Sequence, residues 1–296
     1  MLSPHNFWPK RTFAALDSPL CDFETARFVV LPAPYDSTTT WRSGTRTGPA
    51  AIVDASMNME LFERELGREV AEAGIHTTGE IAPEMSGPQA MVARIEAVVG
   101  EILDAKKFPI MLGGEHSLTL GGVRALAARH PKVSVLQIDA HPDLRQTYTG
   151  TPYGHGCVMR RCSEIPNLAR IVQVGLRSTS REEVEDVPAN VTQFWAEDIV
   201  EDFASHLPAM LEPLEGAVYL SFDVDGCDPS WMPETGTPEP GGLSFYQTLS
   251  LLHAACTQTD VRALDCVELI GGHEPSAFAV ARLLYKTMGY LEKDEG

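Results

Sequence analysis

Three short clusters in this sequence gather side chains of the kinds that hold divalent metal ions. The first is Gly113-Gly114-Glu115-His116-Ser117, where two glycines permit a sharp turn and place His116 near a helix start. The second, Asp139-Ala140-His141-Pro142-Asp143, sets three ligand types at alternate positions, and an extended backbone would aim all of them to one side. In the third, Ser221-Phe222-Asp223-Val224-Asp225-Gly226-Cys227-Asp228-Pro229, two acids again share a face. Each cluster also has a plain reading: an isolated histidine is usually structural, and a polar strand end is often only solvated. Two acids and a histidine on one face nevertheless repel or lie unsatisfied unless positive charge stands between them, and a hard divalent cation supplies it.

Together His116, Asp139, His141, Asp143, Asp223 and Asp225 are too many ligands for one ion and suit two. Four aspartates against two divalent cations bring such a site close to neutrality. The oxygen-rich donor set with two imidazoles favours manganese over zinc, which takes fewer and softer ligands, and leaves nickel and cobalt open. Two ions roughly 3.5–4 Å apart can activate water near neutral pH.

The elements that must carry these clusters are short apolar runs alternating with helical patterns. Strands are predicted at Phe28–Leu31, Pro109–Leu112, Val133–Ile138, Ile171–Val174, Val218–Phe222 and Val261–Val267, several apolar nearly throughout, as strands covered on both faces are. Val92, Ile95, Val99 and Ile102 form one stripe of an amphipathic helix, and further helices are predicted over Ser117–Arg129, Ser244–Cys256 and Pro275–Met288. Alternating strand and helix predicts an α/β fold with a mostly parallel sheet. The Pro- and Gly-rich stretch Met232–Gly242 directly follows a strand and reads as an ordered loop at the carboxyl edge of the sheet, where sites of open α/β folds are built. No repeat or linker divides the 296 residues, so one domain over 1–296 is expected.

With 44% hydrophobic residues the chain can bury a sizeable core. Its 23 basic against 41 acidic residues give a formal net charge of −18, which argues against nucleic acid or an anionic membrane as partner and suits a cationic small substrate, although solvated surface explains acidity equally well. Six scattered cysteines without a C-x-x-C pair, no apolar leader near Met1 and no run of membrane-spanning length point to free thiols in the cytoplasm.

In order and spacing the three clusters resemble the signatures of the ureohydrolase family of arginases and agmatinases, and the resemblance runs from the Gly48–Ile52 helix start to Ala281–Tyr285. It implies a three-layer α/β/α sandwich around an eight-stranded, mostly parallel sheet, assembled as a trimer or hexamer. It also implies two manganese ions, one held by His116, Asp139, Asp143 and Asp223 and the other by Asp139, His141, Asp223 and Asp225. Glu268 falls where the family places the acid that binds guanidinium, and His155, in Tyr153-Gly154-His155-Gly156, matches the family's proton-shuttling histidine; Asp143 would hydrogen-bond the nucleophile. The stretch Leu144–Gly154 is similar to that of agmatinase-like members, which implies a substrate without an α-carboxylate.

The implied reaction is hydrolysis of a guanidino compound to urea and an amine, agmatine to putrescine first. Guanidinobutyrate, aminopropylagmatine, guanidine and arginine are the alternatives, because Leu269-Ile270-Gly271-Gly272-His273 departs from the common pattern where the substrate's far end is expected. A one-metal deacetylase-like amidohydrolase is disfavoured by six ligands, and a non-catalytic metal-binding homologue by the presence of Glu268 and His155. Trp41, Arg42 and Gly44 resemble an N-terminal family loop. Asp228 is expected to form a turn before Pro229, and the cysteines, Cys157 included, to be packing residues.

Overall fold

Valine, isoleucine and leucine runs become strands here because both faces of the sheet are covered. The computed structural model describes residues 10–272 and 274–292; His273 lies outside them. In chain order the elements are β1 (Phe28–Ala33), α1 (Gly48–Ser56), β2 (Phe62–Glu63), β3 (Arg68–Glu69), β4 (Ile75–Thr77), α2 (Pro88–Asp104), β5 (Phe108–Gly113), α3 (Thr119–Ala127) and β6 (Val133–Ile138). There follow α4 (Val158–Ser163), β7 (Leu168–Leu176), α5 (Arg181–Glu185), β8 (Val191–Trp195), α6 (Ala196–Ile199), α7 (Phe203–Leu211), β9 (Ala217–Asp223), α8 (Phe245–Gln258), β10 (Asp260–Val267) and α9 (Glu274–Leu291).

Eight strands form one sheet in the order β4-β1-β5-β10-β9-β6-β7-β8, with every pairing parallel, while β2 and β3 make a separate antiparallel pair. Side chains alternate across the sheet as the strand period of two requires. Phe28, Val30, Ile110, Leu112, Leu136, Ile138, Leu220 and Phe222 join a core with α1, α7, α8 and α9. Val29, Leu31, Met111, Val133, Val135 and Tyr219 face the other way, onto α2, α3 and α4. The result is the three-layer α/β/α sandwich around eight strands that the family resemblance implied.

Two strands of the sheet, β4 and β8, were not among the sequence-predicted runs. Both are edge strands, and β8 is half-buried along its whole length, so neither carries the continuous apolar signal of a central strand. The helix expected from Ser117 begins as a 3₁₀ turn, His116–Leu118, before α3. Among the described residues no helix is long and apolar enough to cross a membrane. Four neighbouring strands, β5, β10, β9 and β6, end side by side at the carboxyl edge, and the motif residues follow from those ends.

Candidate metal centre and catalytic pocket

Each motif residue is delivered by a turn that closely packed backbone enforces. After β5 the chain runs against the segment that follows β1: Gly114 N–H donates to Ala33 O and Glu115 N–H to Tyr35 O. A Cβ on Gly114 would stand 2.0 Å from Tyr35 O, so only glycine passes there on the way to His116. After β6, Asp139–Asp143 leaves the sheet as a loop rather than as the extended segment that alternation predicted, and Asp143 reaches the cluster through a left-handed turn at φ 54°. Asp223 is the last residue of β9, and Asp225 sits in the 3₁₀ turn Val224–Gly226, where its N–H donates to Asp223 Oδ1 at 2.9 Å. Glu268 follows β10 at φ 65°, with its N–H donated to Gly114 O at 2.8 Å. The residues that alternation named do converge, although turns, not extended strands, bring them together.

All six proposed ligands meet. His116 Nδ1 faces Asp139 Oδ2 at 3.0 Å and Asp143 Oδ2 and Asp223 Oδ2 at 3.1 Å each, yet this buried nitrogen has no hydrogen bond. His141 Nδ1 lies 3.1 Å from Asp225 Oδ2 and 3.5 Å from Asp139 Oδ1. Two groups offer ligand atoms all within 4.8 Å of one another, His116 with Asp139 and Asp223, and Asp139 with His141 and Asp225. Asp139 belongs to both.

Surrounding groups fix the orientation of these ligands. Ser221 Oγ donates to Asp265 Oδ1 at 2.8 Å and lies 2.9 Å from His116 Nε2, so Nε2–H is the donor there and the Nδ1 lone pair points at the three carboxylates. Gln137 Nε2 donates to Asp139 Oδ2 at 2.6 Å, and Ala140 N–H to Asp225 Oδ1 at 3.0 Å. An unsatisfied imidazole nitrogen aimed at three carboxylate oxygens, in an oxygen-rich set of donors, fits a bound divalent cation.

The electrostatics agree. Burial, with the charge of Asp139 next, pushes the Asp143 carboxyl up to about 7. Asp223 is raised well above the usual carboxylate range by burial, then by Asp225 and Asp139. For Asp139 burial also works upward, but His116 and His141 overcome it and hold the carboxyl below its ordinary value. Burial likewise opposes the charged imidazoles, but with no cation between the groups the carboxylates win, raising His116 well above its usual value and His141 to about 12, so a bound cation would have to take the place of these ring protons. Such a pocket cannot ionise all its acids without added positive charge.

Beside the cluster opens a cavity of about 250 Å³ lined by His141, Asp143, His155, Glu239, Glu268 and Trp41, among others. Glu268 is buried, and its Oε1 accepts the His116 N–H at 2.6 Å; burial, then Glu115, raises its carboxyl well above the usual range. Burial, followed by the charges on His116 and His141, lowers His155 to about 4, so its ring is neutral near pH 7. Trp41 and Arg42 reach this cavity, and Arg42 ties their loop to Glu234 at 3.2 Å.

Leu269–Gly272, expected to border the substrate, does not line the cavity. Ile270 N–H donates to Glu234 O and Gly271 N–H to Thr47 Oγ1, so this segment buttresses the two loops behind the mouth. Asp228 forms the expected turn, accepting from the N–H groups of Ser230, Gly241 and Gly242. The six cysteines are free, and burial raises the Cys157 thiol to about 11, as suits a packing residue.

The sequence reading missed Gln137, Thr38, Glu115 and Asp265. A polar residue inside an apolar strand, as Gln137 and Asp265 are, was the available signal, because it must find a partner when buried.

Residues 26–289 match the family model described as the arginase family. The N(1)-aminopropylagmatine ureohydrolase of Thermococcus kodakarensis is 37% identical over 287 residues, covering 94% of this chain and 95% of that protein. The agmatinase of Pyrococcus horikoshii is 34% identical, covering 93% and 95%. Among solved structures, the agmatine ureohydrolase of Thermoplasma volcanium superposes with a TM-score of 0.87 at 30% identity over 97% of this chain and 96% of that one.

Proposed function

The chain belongs to the arginase family of hydrolases, and on that premise we propose that it hydrolyses the guanidino group of an amine lacking an α-carboxylate, releasing urea. The substrates are agmatine, which gives putrescine, and its aminopropyl derivative. The observation that carries the reading is the pair of ligand groups sharing Asp139 at the wall of a cavity that also holds the buried Glu268 and the neutral His155.

In this reading His116, Asp139, Asp143 and Asp223 would hold one divalent ion, and Asp139, His141, Asp223 and Asp225 the other, with manganese the best match to the donor set. When bound, the ions would supply Lewis-acid activation of water. Glu268 binds the guanidinium through a charge-assisted hydrogen bond and holds its carbon in line for attack. Asp143 accepts a hydrogen bond from the attacking water. The products are urea and an ammonium ion, so a proton must reach the departing nitrogen, and the His155 ring carries it.

One observation favours the longer substrate. Trp41 is 80% exposed yet lines the cavity, and Glu239 stands on the same lining outside the ligand groups, offering an aromatic face and a carboxylate to a second amine. The test is urea release by manganese-loaded protein from agmatine, N1-aminopropylagmatine, guanidinobutyrate, guanidine and arginine. The highest kcat/KM is expected for one of the first two. A preference for arginine would overturn the substrate class, and no urea from any of them at full metal occupancy would overturn the catalytic reading.

A further inference from the structure

The Thr38 hydroxyl has no spare hydrogen-bonding capacity. Its proton goes to Glu115 Oε1 at 2.8 Å. Its two lone pairs face the backbone N–H of His155 at 3.1 Å and His155 Nδ1, also at 3.1 Å. A hydroxyl offers one donor and two acceptor sites, so all three are used. Glu115 in turn is fully buried and accepts from three donors: Thr38 N–H at 2.6 Å, the Thr38 hydroxyl, and the Ser117 hydroxyl at 2.5 Å. With the Thr38 proton committed to this carboxylate, Nδ1 of the neutral ring can only donate. The ring is therefore the Nδ1–H tautomer, and its free lone pair is on Nε2. The Tyr148 ring packs edge-on against the His155 ring, with centroids 5.5 Å apart.

We propose that Thr38 and Glu115 are positioning residues that fix the tautomer and orientation of His155, so that Nε2 is the atom that takes up and returns the proton delivered to the leaving amine. The inference rests on the proton-carrying role given to His155 above. It assigns a purpose to a buried carboxylate that belongs to neither ligand group, and to a threonine on the loop that follows β1, far in sequence from the histidine it holds. The hydroxyl can be removed without cutting the loop's tie to Glu115, because the Thr38 backbone N–H keeps its own bond to Oε2.

The test compares Thr38→Val, Thr38→Ala, Thr38→Ser, Glu115→Gln and His155→Asn, all manganese-loaded, by kcat and KM for urea release, metal content and Tm. General acid–base catalysis contributes about 10²–10⁴-fold, so loss of its positioning is expected to lower kcat at least about tenfold in Thr38→Val and Thr38→Ala, with KM within about twofold and metal content unchanged. Thr38→Ser is expected to restore kcat to within about threefold of the parent. Glu115→Gln is expected to lower kcat as Thr38→Val does, because its amide group meets donors on both sides. Normal kcat in both Thr38→Val and Thr38→Ala, a serine variant as slow as the valine one, or kcat loss that tracks metal loss would each overturn the proposal. A slow His155→Asn beside normal Thr38 variants overturns this inference alone, whereas normal turnover in His155→Asn overturns the role of His155 itself.

Discussion

Two carboxylates at the cavity wall, Asp143 and Glu268, are held at positive φ, a conformation that costs a non-glycine residue about 1–3 kcal/mol. A fold that keeps both places them by backbone geometry that no spacing rule reveals. The six residues that converge here were readable because acids and histidines cluster abruptly behind apolar runs; the left-handed turn at Asp143 was not, since aspartate tolerates both conformations. The role proposed for Glu268 is separable from metal binding: its carboxylate bonds the His116 backbone and faces the cavity, and it is in neither ligand group. Glu268→Gln is expected to keep both metals and lower kcat/KM at least about tenfold, since a charge-assisted bond is worth roughly 1.5–3 kcal/mol and a decade of rate about 1.36. Metal loss or normal kinetics in this variant would refute the role. Asp139, shared by both groups, makes the opposite prediction: elemental analysis of Asp139→Ala should find most of both metals gone, whereas His141→Ala should lose chiefly one.

At the level of elements, the central strands were the readable part. β5, β6 and β9, and β10 from Ala263 onward, are almost wholly buried on both faces and so carry mostly apolar runs, and each ends where polar residues begin. The edges were hidden for the complementary reason, and α7 because Pro208 interrupts its pattern. Least readable was the contact between the segments after β1 and β5, which joins Ala33 to Gly114 and Tyr35 to Glu115 and brings Thr38 to the Glu115 carboxylate. The glycine pair was read as freedom to turn, whereas at Gly114 the requirement is space. Gly114→Ala would drive a methyl group to 2.0 Å from Tyr35 O, which the backbone can relieve only by separating the two segments. Overpacking of this kind costs about 1–3 kcal/mol, so thermal denaturation should show a lower Tm, and the displaced His116 should weaken metal binding in the same variant. An unchanged Tm with full metal content would show that the two segments part without cost.

On the scale of the whole molecule, the same strands that bury the core also gather negative charge at one edge, and the two demands conflict until cations arrive. One apolar cluster runs from Phe13 to Leu291, so any cut through the sequence would divide it; we propose on this ground that the chain unfolds as one domain. The proposed trimer or hexamer, tested by sedimentation, would give the exposed Phe62, Tyr246 and Phe278 somewhere to pack. Within a single cooperative unit, a ligand bound by the folded state alone stabilises all of it, by about 2.7 kcal/mol per site at a hundredfold excess over Kd. The candidate ligands follow the ends of strands β5, β6 and β9 and come together as a set only when the sheet is formed. Manganese should therefore raise Tm by about 5–10 °C at about 2 °C per kcal/mol, and chelation should reverse the shift. Calorimetry should record one transition in both states. Two transitions, with only one responding to metal, would mean that the site belongs to a separately folding part, and no response would mean that the acidic edge is balanced by its own histidines and protons.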